Sequence, residues 1–357
     1  MEAEQNQELC RILIDHVKRY PLMEPCDAVK LIFQNEFGGE HLLTEPSATL
    51  AWLRAEWAST PYDPDIPPVE DIGNGMARVA LAALRLTEDA LRTLNRDFLR
   101  SAQVPMGRRK TFLSKLDTLR MLAEEKIFSF TRQELEVYLE RYISAGCGPL
   151  SHSPTYREAY RPADRVVKHS FSLIALYREL TQLLARGERT VIAIEGRCAS
   201  GKSSVAGWLS RRFGIPVVHM DHFFLRPEQR TRERLAGPGE NVDHERLREE
   251  VLEPLAAGKA VSYRPYSCQT GTLDEPIALE PSPVVLVEGS YSCHPALWDY
   301  YDRRVFLSVD PEEQLRRIEA RDGREQLQTF REQWIPLEER YFSAFQVEER
   351  CDYQLEL

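Results

Sequence analysis

Residues 196–203 read Gly-Arg-Cys-Ala-Ser-Gly-Lys-Ser and follow directly on the apolar run 191–194. They fit the pattern G-x-x-x-x-G-K-[ST] of a phosphate-binding loop between a strand and a helix. In such a loop the backbone N–H groups point at the β-phosphate, the lysine reaches the β and γ oxygens, and the serine can ligate Mg²⁺. The predicted nucleotide-binding residues are Gly196, Arg197, Cys198, Ala199, Ser200, Gly201, Lys202, Ser203 and Ser204.

The composition is that of a globular protein with room for two domains, since the chain has 357 residues and 43% hydrophobic content. A formal net charge of -10 gives no long-range attraction to nucleic acid or to an anionic membrane. Met1 to Glu8 is polar and no apolar run approaches a membrane span, which predicts a cytoplasmic protein. Seven cysteines without a C-x-x-C pair indicate reduced thiols rather than disulfides or a zinc site.

Residues 1–165 are predicted to form a mainly α-helical domain. Asp27 is placed at the cap of a helix that ends at Gly38 and Gly39. Residues 79–86 fit either a buried helix or a strand, because periodicity does not separate the two. A connecting helix is expected within 166–189. Further amphipathic helices are predicted over residues 48–57, 88–99, 110–125 and 133–144.

Residues 190–357 show a different pattern, in which short apolar runs alternate with helical segments. This alternation is typical of an α/β domain with a parallel sheet flanked by helices, and such sheets bind ligands at the carboxyl ends of their strands. The predicted strands are residues 191–194, 216–220, 284–287 and 305–309, and the predicted helices are residues 203–213, 243–257 and 312–321.

Two acidic residues follow predicted strands at the edge that carries the phosphate loop. Asp221 can accept the proton of an attacking hydroxyl, although a capping or solvent-facing role fits its position equally well. Glu288 can hold Mg²⁺ through a bound water, beside Ser203 as the other metal residue, or it can orient the acceptor. Arg317 and Arg321 lie four apart on one helical face, where they can neutralise phosphoryl charge.

Residues 190–357 resemble the uridine kinase and phosphoribulokinase-like group of P-loop kinases, which includes nicotinamide riboside kinases. The landmarks that carry the resemblance are Ala199 to Ser203, Asp221 to Phe224, Asn241 to His244, Pro265-Tyr266, Val287 to Gly289 and Arg317 to Asp322. The resemblance implies Asp221 as the base, Glu288 as a second acid, Arg317 and Arg321 as lid cations, and Tyr266 as a substrate-facing aromatic. It also implies ATP and Mg²⁺ as cofactors.

The chain departs from the uridine kinase pattern after Tyr266. Those kinases follow this position with a histidine and an arginine that read the nucleoside, whereas residues 267–272 here are Ser-Cys-Gln-Thr-Gly-Thr. A site that lacks these hydrogen-bonding partners discriminates against the corresponding ligand. We therefore expect uridine and cytidine to be poor acceptors.

The sequence thus predicts an ATP- and Mg²⁺-dependent kinase that phosphorylates a hydroxyl of a small molecule. Tyr266, His222 and Arg157 are candidate substrate contacts, while a solvated surface also explains Arg157. Residues 1–165 resemble no domain that we can name, and we expect them to complete the acceptor site. Two alternatives remain open: a regulatory ATP-binding module whose helical half binds a protein partner, and an ATPase that drives a conformational change.

Overall fold

The computed structural model describes residues 2–39, 48–103 and 107–357. The chain divides into two compact units, with the division between Ala175 and Leu176. This division falls within residues 166–189, the segment that the sequence assigns to a connecting helix.

Most of the first unit is helical. Its helices are α1 (Glu2–Arg19), α2 (Pro25–Phe37), α3 (Thr49–Ser59), α4 (Glu88–Gln103), α5 (Arg109–Glu124), α6 (Arg132–Ser144) and α7 (Pro154–Tyr160), and α8 (Leu173–Arg186) crosses the division. The core contains apolar side chains of α1, α2, α5 and α6, among them Leu13, Leu31, Leu119 and Leu135. Asp27 is the third residue of α2 rather than its cap, and its carboxylate accepts a hydrogen bond from the backbone N–H of Glu24 at 2.9 Å.

The first unit also contains a three-stranded antiparallel sheet that the helical prediction missed. Its strands, in spatial order, are β1 (Val69–Gly73), β2 (Met76–Ala80) and β3 (Asp164–Lys168). Asn74 and Gly75 have φ of 55° and 71°, the conformation of a tight hairpin turn between β1 and β2. Residues 79–86 therefore begin as the end of a strand, and the connecting segment is helical only from Leu173, because residues 164–168 pair with β2.

The second unit alternates strands and helices. Its strands are β4 (Thr190–Gly196), β5 (Val217–His219), β6 (Ser262–Tyr263), β7 (Tyr266–Ser267), β8 (Thr272–Leu273), β9 (Ile277–Ala278), β10 (Val284–Glu288), β11 (Arg303–Ser308) and β12 (Tyr353–Glu356). Its helices are α9 (Lys202–Phe213), α10 (Arg232–Ala236), α11 (His244–Leu247), α12 (Glu253–Ala256), α13 (Pro311–Thr329), α14 (Ile335–Phe345) and α15 (Val347–Arg350).

Five of these strands form one sheet in the order β12-β11-β4-β10-β5, and every pair in it is parallel. The central strands β4 and β10 are fully buried, as expected for strands covered on both faces. The predicted α/β fold is therefore confirmed. Because all five strands run the same way, the loop after β4 and the ends of β5 and β10 lie at one edge of the sheet. Among the described residues, no helix is both long and apolar enough to cross a membrane.

Candidate active site

The loop between β4 and α9 has the tight backbone that a phosphate cradle requires. Gly196 has a φ of 142°, and a Cβ there would lie 2.0 Å from the carbonyl oxygen of Leu307 on β11. Ala199 and Gly201 also have positive φ, at 56° and 98°. The loop therefore packs directly on the neighbouring strand and then turns so that α9 begins at Lys202, with its N-terminal N–H groups free for an anion.

Lys202 is folded over this loop. Its Nζ donates to the carbonyl oxygens of Gly196 at 2.6 Å and Arg197 at 3.0 Å, and the residue is only 8% exposed. These bonds hold the ammonium group at the mouth of the cradle, and Lys202 lines the cavity above it. Positive charge at this place is what a bound phosphate chain needs.

The loop is fixed from outside by glutamate and glutamine side chains that the sequence did not single out. Arg197 donates to Glu339 at 2.7 Å and to Glu348 at 2.9 Å. Glu338 accepts a hydrogen bond from the backbone N–H of Cys198 at 2.9 Å, and Gln314 donates to the Cys198 carbonyl at 3.0 Å. Arg197 is therefore engaged as a structural ion pair, and it is absent from the cavity lining within the described part of the chain.

A chain of hydrogen bonds links the loop to the ends of β5 and β10. The Ser203 hydroxyl donates to one oxygen of Glu288 at 3.2 Å, and the other oxygen contacts Nδ1 of His219 at 2.5 Å. Glu288 is 4% exposed, and its hydrogen bond raises the pKa of His219. The Ser203 hydroxyl and the Glu288 carboxylate present hard oxygen atoms side by side, which is the donor chemistry that Mg²⁺ prefers, so these residues fit the metal.

Asp221 lies in the helical turn after β5 and opens into the same cavity. Asp221 is exposed to the cavity, and partial desolvation by the surrounding protein atoms is the largest cause that raises its pKa, with the charge of Glu288 raising it further. Lys202, His219 and Arg321 act in the opposite direction without cancelling the shift. Asp221 is thus a carboxylate with increased proton affinity, as a general base requires.

Arg317 and Arg321 reach the cavity from α13. Arg317 donates to Glu313 at 2.7 Å and to the Ala199 carbonyl of the phosphate loop at 3.3 Å. Arg321 donates to Asp322 at 2.8 Å and remains largely exposed. Gly323, with φ 82° and ψ 170°, interrupts the helix directly after these arginines, which separates them from the remainder of α13.

The cavity has a volume of about 1580 Å³ and lies wholly within the second unit. It brings together the catalytic candidates Lys202, Asp221, Glu288, Arg317 and Arg321, with Ser203 and Ser204 beside them. An apolar wall faces these groups, and it consists of Phe224, Leu225, Leu235, Phe330, Trp334, Pro336 and Leu337. Sequence periodicity gave no sign of this wall, because its members come from separate segments.

The three candidate substrate contacts are placed differently. Tyr266 is buried, pairs with Leu273 in a small ribbon, and is absent from the described lining of the cavity. His222 is half-buried and contacts the Tyr263 hydroxyl through Nδ1 at 3.1 Å, and it is likewise absent from that lining. Arg157 is an exposed residue of α7 in the first unit. Cys268, by contrast, does line the cavity.

Glu195 is a further residue that the sequence did not indicate. It is fully buried directly before the loop and accepts hydrogen bonds from the backbone N–H groups of Gly196 at 2.9 Å and Cys293 at 3.1 Å. The Tyr341 hydroxyl donates to it at 3.2 Å. Burial raises its pKa to about 7. This carboxyl ties the start of the phosphate loop to the segment after β10, so it is a positioning residue rather than a ligand contact.

Part of the chain is similar to a known protein family and to solved structures. Residues 191–327, less than half of the chain, match the model of the Phosphoribulokinase / Uridine kinase family. One solved structure, titled "Structure of a Possible Uridine Kinase from Bacillus stearothermophilus", is 22% identical, covers 50% of this chain and 100% of its own, and has a TM-score of 0.37. Another, the crystal structure of TT1252 from Thermus thermophilus, is 20% identical, covers 48% of this chain and 88% of its own, and has a TM-score of 0.29.

No curated protein matches the sequence. The family match spans the phosphate loop, Asp221, Glu288 and both lid arginines, and the first half of the chain lies outside it. Residues 191–327 of this chain are therefore similar to the Phosphoribulokinase / Uridine kinase family, a group of P-loop kinases.

Proposed function

We propose that the protein is an ATP- and Mg²⁺-dependent kinase that transfers the γ-phosphoryl group to a hydroxyl of a small molecule. The observation that carries the proposal is the convergence of Lys202, Ser203, Glu288 and Asp221 on one cavity at the carboxyl edge of the sheet. A nucleotide-binding protein without an acceptor needs the first three groups. It does not need a carboxylate of raised pKa facing them.

Each group has a defined task in this proposal. Lys202 binds the β- and γ-phosphate oxygens. To reach them, its ammonium group exchanges its hydrogen bonds to the loop carbonyls for bonds to the phosphate. Ser203 and Glu288 would hold Mg²⁺, which would neutralise negative charge of the phosphate chain. Asp221 accepts the hydroxyl proton while the acceptor oxygen bonds to the γ-phosphorus and the bond to the β-phosphate oxygen breaks.

The arginines of α13 complete the charge balance. Arg317 already contacts the loop carbonyl of Ala199, and Arg321 lies close enough to Asp221 to lower its pKa. Guanidinium groups at this position stabilise the charge that spreads over the equatorial oxygens of the transferring group.

The acceptor side of the cavity supports a molecule with an apolar part. Leu235 and Trp334 remain well exposed to the cavity. Arg230 and Arg340 also line it, and each is bonded to a backbone carbonyl, of Leu225 and Gly237 respectively. Residues 267–272 lack the histidine and arginine side chains expected for recognising uridine. The proposed acceptor is therefore a hydroxyl compound that need not be uridine.

The test is a screen of a metabolite extract with ATP labelled at the γ-phosphate, followed by mass detection of new phosphorylated compounds. We expect one acceptor-dependent product with the wild-type protein and none with Lys202→Ala. ATP hydrolysis without any phosphorylated product would instead support an ATPase. Binding of ATP with no turnover, across the whole extract, would support a regulatory module.

A further inference from the structure

The first unit contains a second pocket, of about 290 Å³, that has no part in phosphoryl transfer as proposed above. Its walls come from α2, α3, α4 and β3 and from the segments before and after α7. It is lined by polar groups, Lys30, Gln34, Thr49, Glu56, His152, Asp164 and Arg165, and by Trp52, Phe98, Pro162 and Val166. Buried polar groups that face a cavity and lack protein partners are a mark of ligand binding.

His152 is oriented toward the pocket by a buried carboxylate. Its Nδ1 lies 2.9 Å from Asp27, which also accepts hydrogen bonds from the Ser153 backbone N–H at 2.9 Å and hydroxyl at 2.7 Å. The imidazole stacks on Tyr156 with ring centroids 4.3 Å apart. Because the Asp27 carboxylate accepts the Nδ1 proton, Nε2 of His152 carries the lone pair of a neutral ring. Burial, the largest cause, keeps the ring neutral by lowering its pKa.

Two hydrogen-bond donors face the pocket from one side of α2. Lys30 is half-buried, and it forms no hydrogen bond or ion pair with any described residue. Gln34, one helical turn later, is 4% exposed and uses its carbonyl oxygen to accept from Nε of Arg78 at 2.8 Å and from a second guanidinium nitrogen at 2.5 Å. Its amide N–H₂ group is left without a partner among the described residues, so both side chains offer donors to a ligand.

Asp164 supplies the opposite charge. It lines the same pocket, it influences Lys30 electrostatically, and it forms no ion pair within the described part of the chain. The other charged pair in the wall, Arg165 and Glu56, is already joined at 2.6 Å and contributes no net charge. The pocket therefore holds one cation and one anion that influence each other but form no ion pair with a described residue. Both are drawn partly out of water, so a direct contact with an opposite charge stabilises each of them.

We propose that this pocket binds a small amino acid, with the ligand carboxylate on Lys30 and Gln34 and the ligand ammonium on Asp164 and His152. A zwitterion gives Lys30 and Asp164 each a direct partner of opposite charge, whereas a dicarboxylate is repelled by Asp164 and a diamine by Lys30. The volume is at the lower end of the range for small-molecule sites, which excludes nucleotides and coenzymes. Trp52 and Phe98 provide an apolar wall for the ligand side chain.

The proposal is tested on the full-length protein by isothermal titration calorimetry with each of the standard amino acids. We expect at least one to bind with a Kd of about 1 mM or below. Its deaminated and decarboxylated analogues, which each lack one charge, should bind at least about tenfold more weakly. If no standard amino acid binds, or if an analogue that lacks the ammonium binds as tightly as the amino acid, the proposal is wrong.

Variants connect the binding to these residues. Lys30→Met keeps the length of the side chain without its charge, Asp164→Asn keeps its shape, and each should weaken binding by about tenfold or more. The matched controls are Lys110→Met and Asp65→Asn, which replace exposed residues of the same unit away from the pocket. Unchanged affinity in both pocket variants, with a native circular dichroism spectrum, would overturn the assignment. Lys202→Ala should bind the amino acid normally, which separates this site from the kinase site.

Discussion

The Ser203 hydroxyl donates a hydrogen bond to Glu288 at 3.2 Å, although 85 positions separate the two residues in the chain. The pairing of β4 with β10 brings this about, because the parallel register sets Ile194 opposite Glu288. The same strand pairs His219 of β5 with Glu288 on its other side. One carboxylate thus connects the phosphate loop to the strand end that carries Asp221.

Removing the phosphate-binding groups should abolish turnover without unfolding the protein. Lys202→Ala and Ser203→Ala each remove a contact to the transferring phosphoryl group or to Mg²⁺, and we expect each to lower kcat by about 100-fold or more. Lys259→Ala and Ser210→Ala are the controls, since Lys259 is exposed and Ser210 lies further along α9. Near-normal turnover in either active-site variant with an intact fold would contradict the site.

Replacing the base should separate binding from chemistry. Asp221→Asn preserves the shape of the side chain but cannot accept the hydroxyl proton, so we expect ATP binding to persist while kcat falls by about 10²- to 10⁴-fold. Calorimetry with a non-hydrolysable nucleotide and a turnover assay measure the two quantities. The exposed Asp299→Asn variant should behave as wild type. Full activity of the Asp221 variant would favour a regulatory role for the nucleotide.

The pH dependence should reveal the electrostatic coupling of Asp221 to Glu288. Partial desolvation, and next the charge of Glu288, raise the pKa of Asp221. As the pH is lowered, activity should therefore begin to fall at a higher pH than the titration of a free aspartate would give. Glu288→Gln removes the largest charge that raises this pKa, and the ¹³C-detected titration of Asp221 should move to lower pH. The loss of positive charge at His219 opposes this movement but is the smaller effect. Glu312→Gln should leave the titration in place, and an unmoved titration in Glu288→Gln would refute the coupling.

The contact between the phosphate loop and β11 should make Gly196 irreplaceable. In Gly196→Ala the new methyl group would lie 2.0 Å from the Leu307 carbonyl oxygen, so we expect a loss of about 3 kcal/mol or more in the free energy of unfolding. Gly214 also has a positive φ, of 68°, but a Cβ there meets nothing within 4 Å. Gly214→Ala should therefore cost only about 1 kcal/mol. If urea unfolding gave equal losses of free energy for the two variants, the positive φ of Gly196 rather than its contact with Leu307 would explain the cost of the substitution.

A fragment of residues 173–357 should bind Mg·ATP with affinity comparable to that of the whole chain, because every described lining residue of the cavity belongs to the second unit. The fragment must retain α8, since Tyr177 packs on Phe213 at 4.9 Å and Glu179 bonds to Arg303 at 2.7 Å. A start near Arg186 would remove these contacts. If residues 1–165 complete the acceptor site, as the sequence led us to expect, the folded fragment loses acceptor phosphorylation. Retained phosphorylation would refute that expectation.

Local patterns were enough to predict much of the second unit. The alternation of apolar runs and helices predicted a parallel sheet, and the loop pattern located the residues at the N-terminus of α9. The hairpin of the first unit does not stand out in the sequence, because β2 contains only one β-branched residue, Val79, and the turn consists of only Asn74 and Gly75. Glu195, Gln314 and Glu338 were missed for another reason: each acts on the loop through a buried hydrogen bond that no spacing reveals.

The phosphate loop, the class of sheet and the candidate acids could be predicted from the amino-acid sequence, because strand periodicity and glycine geometry are local properties of the chain. Which side chains share a cavity depended instead on tertiary contacts. Strand pairing and close packing brought Glu288 to Ser203 and Asp27 to His152, while they buried Tyr266 in a ribbon away from the cavity lining. These outcomes depend on contacts between distant segments, whose energies are set by burial and by register rather than by neighbours along the chain.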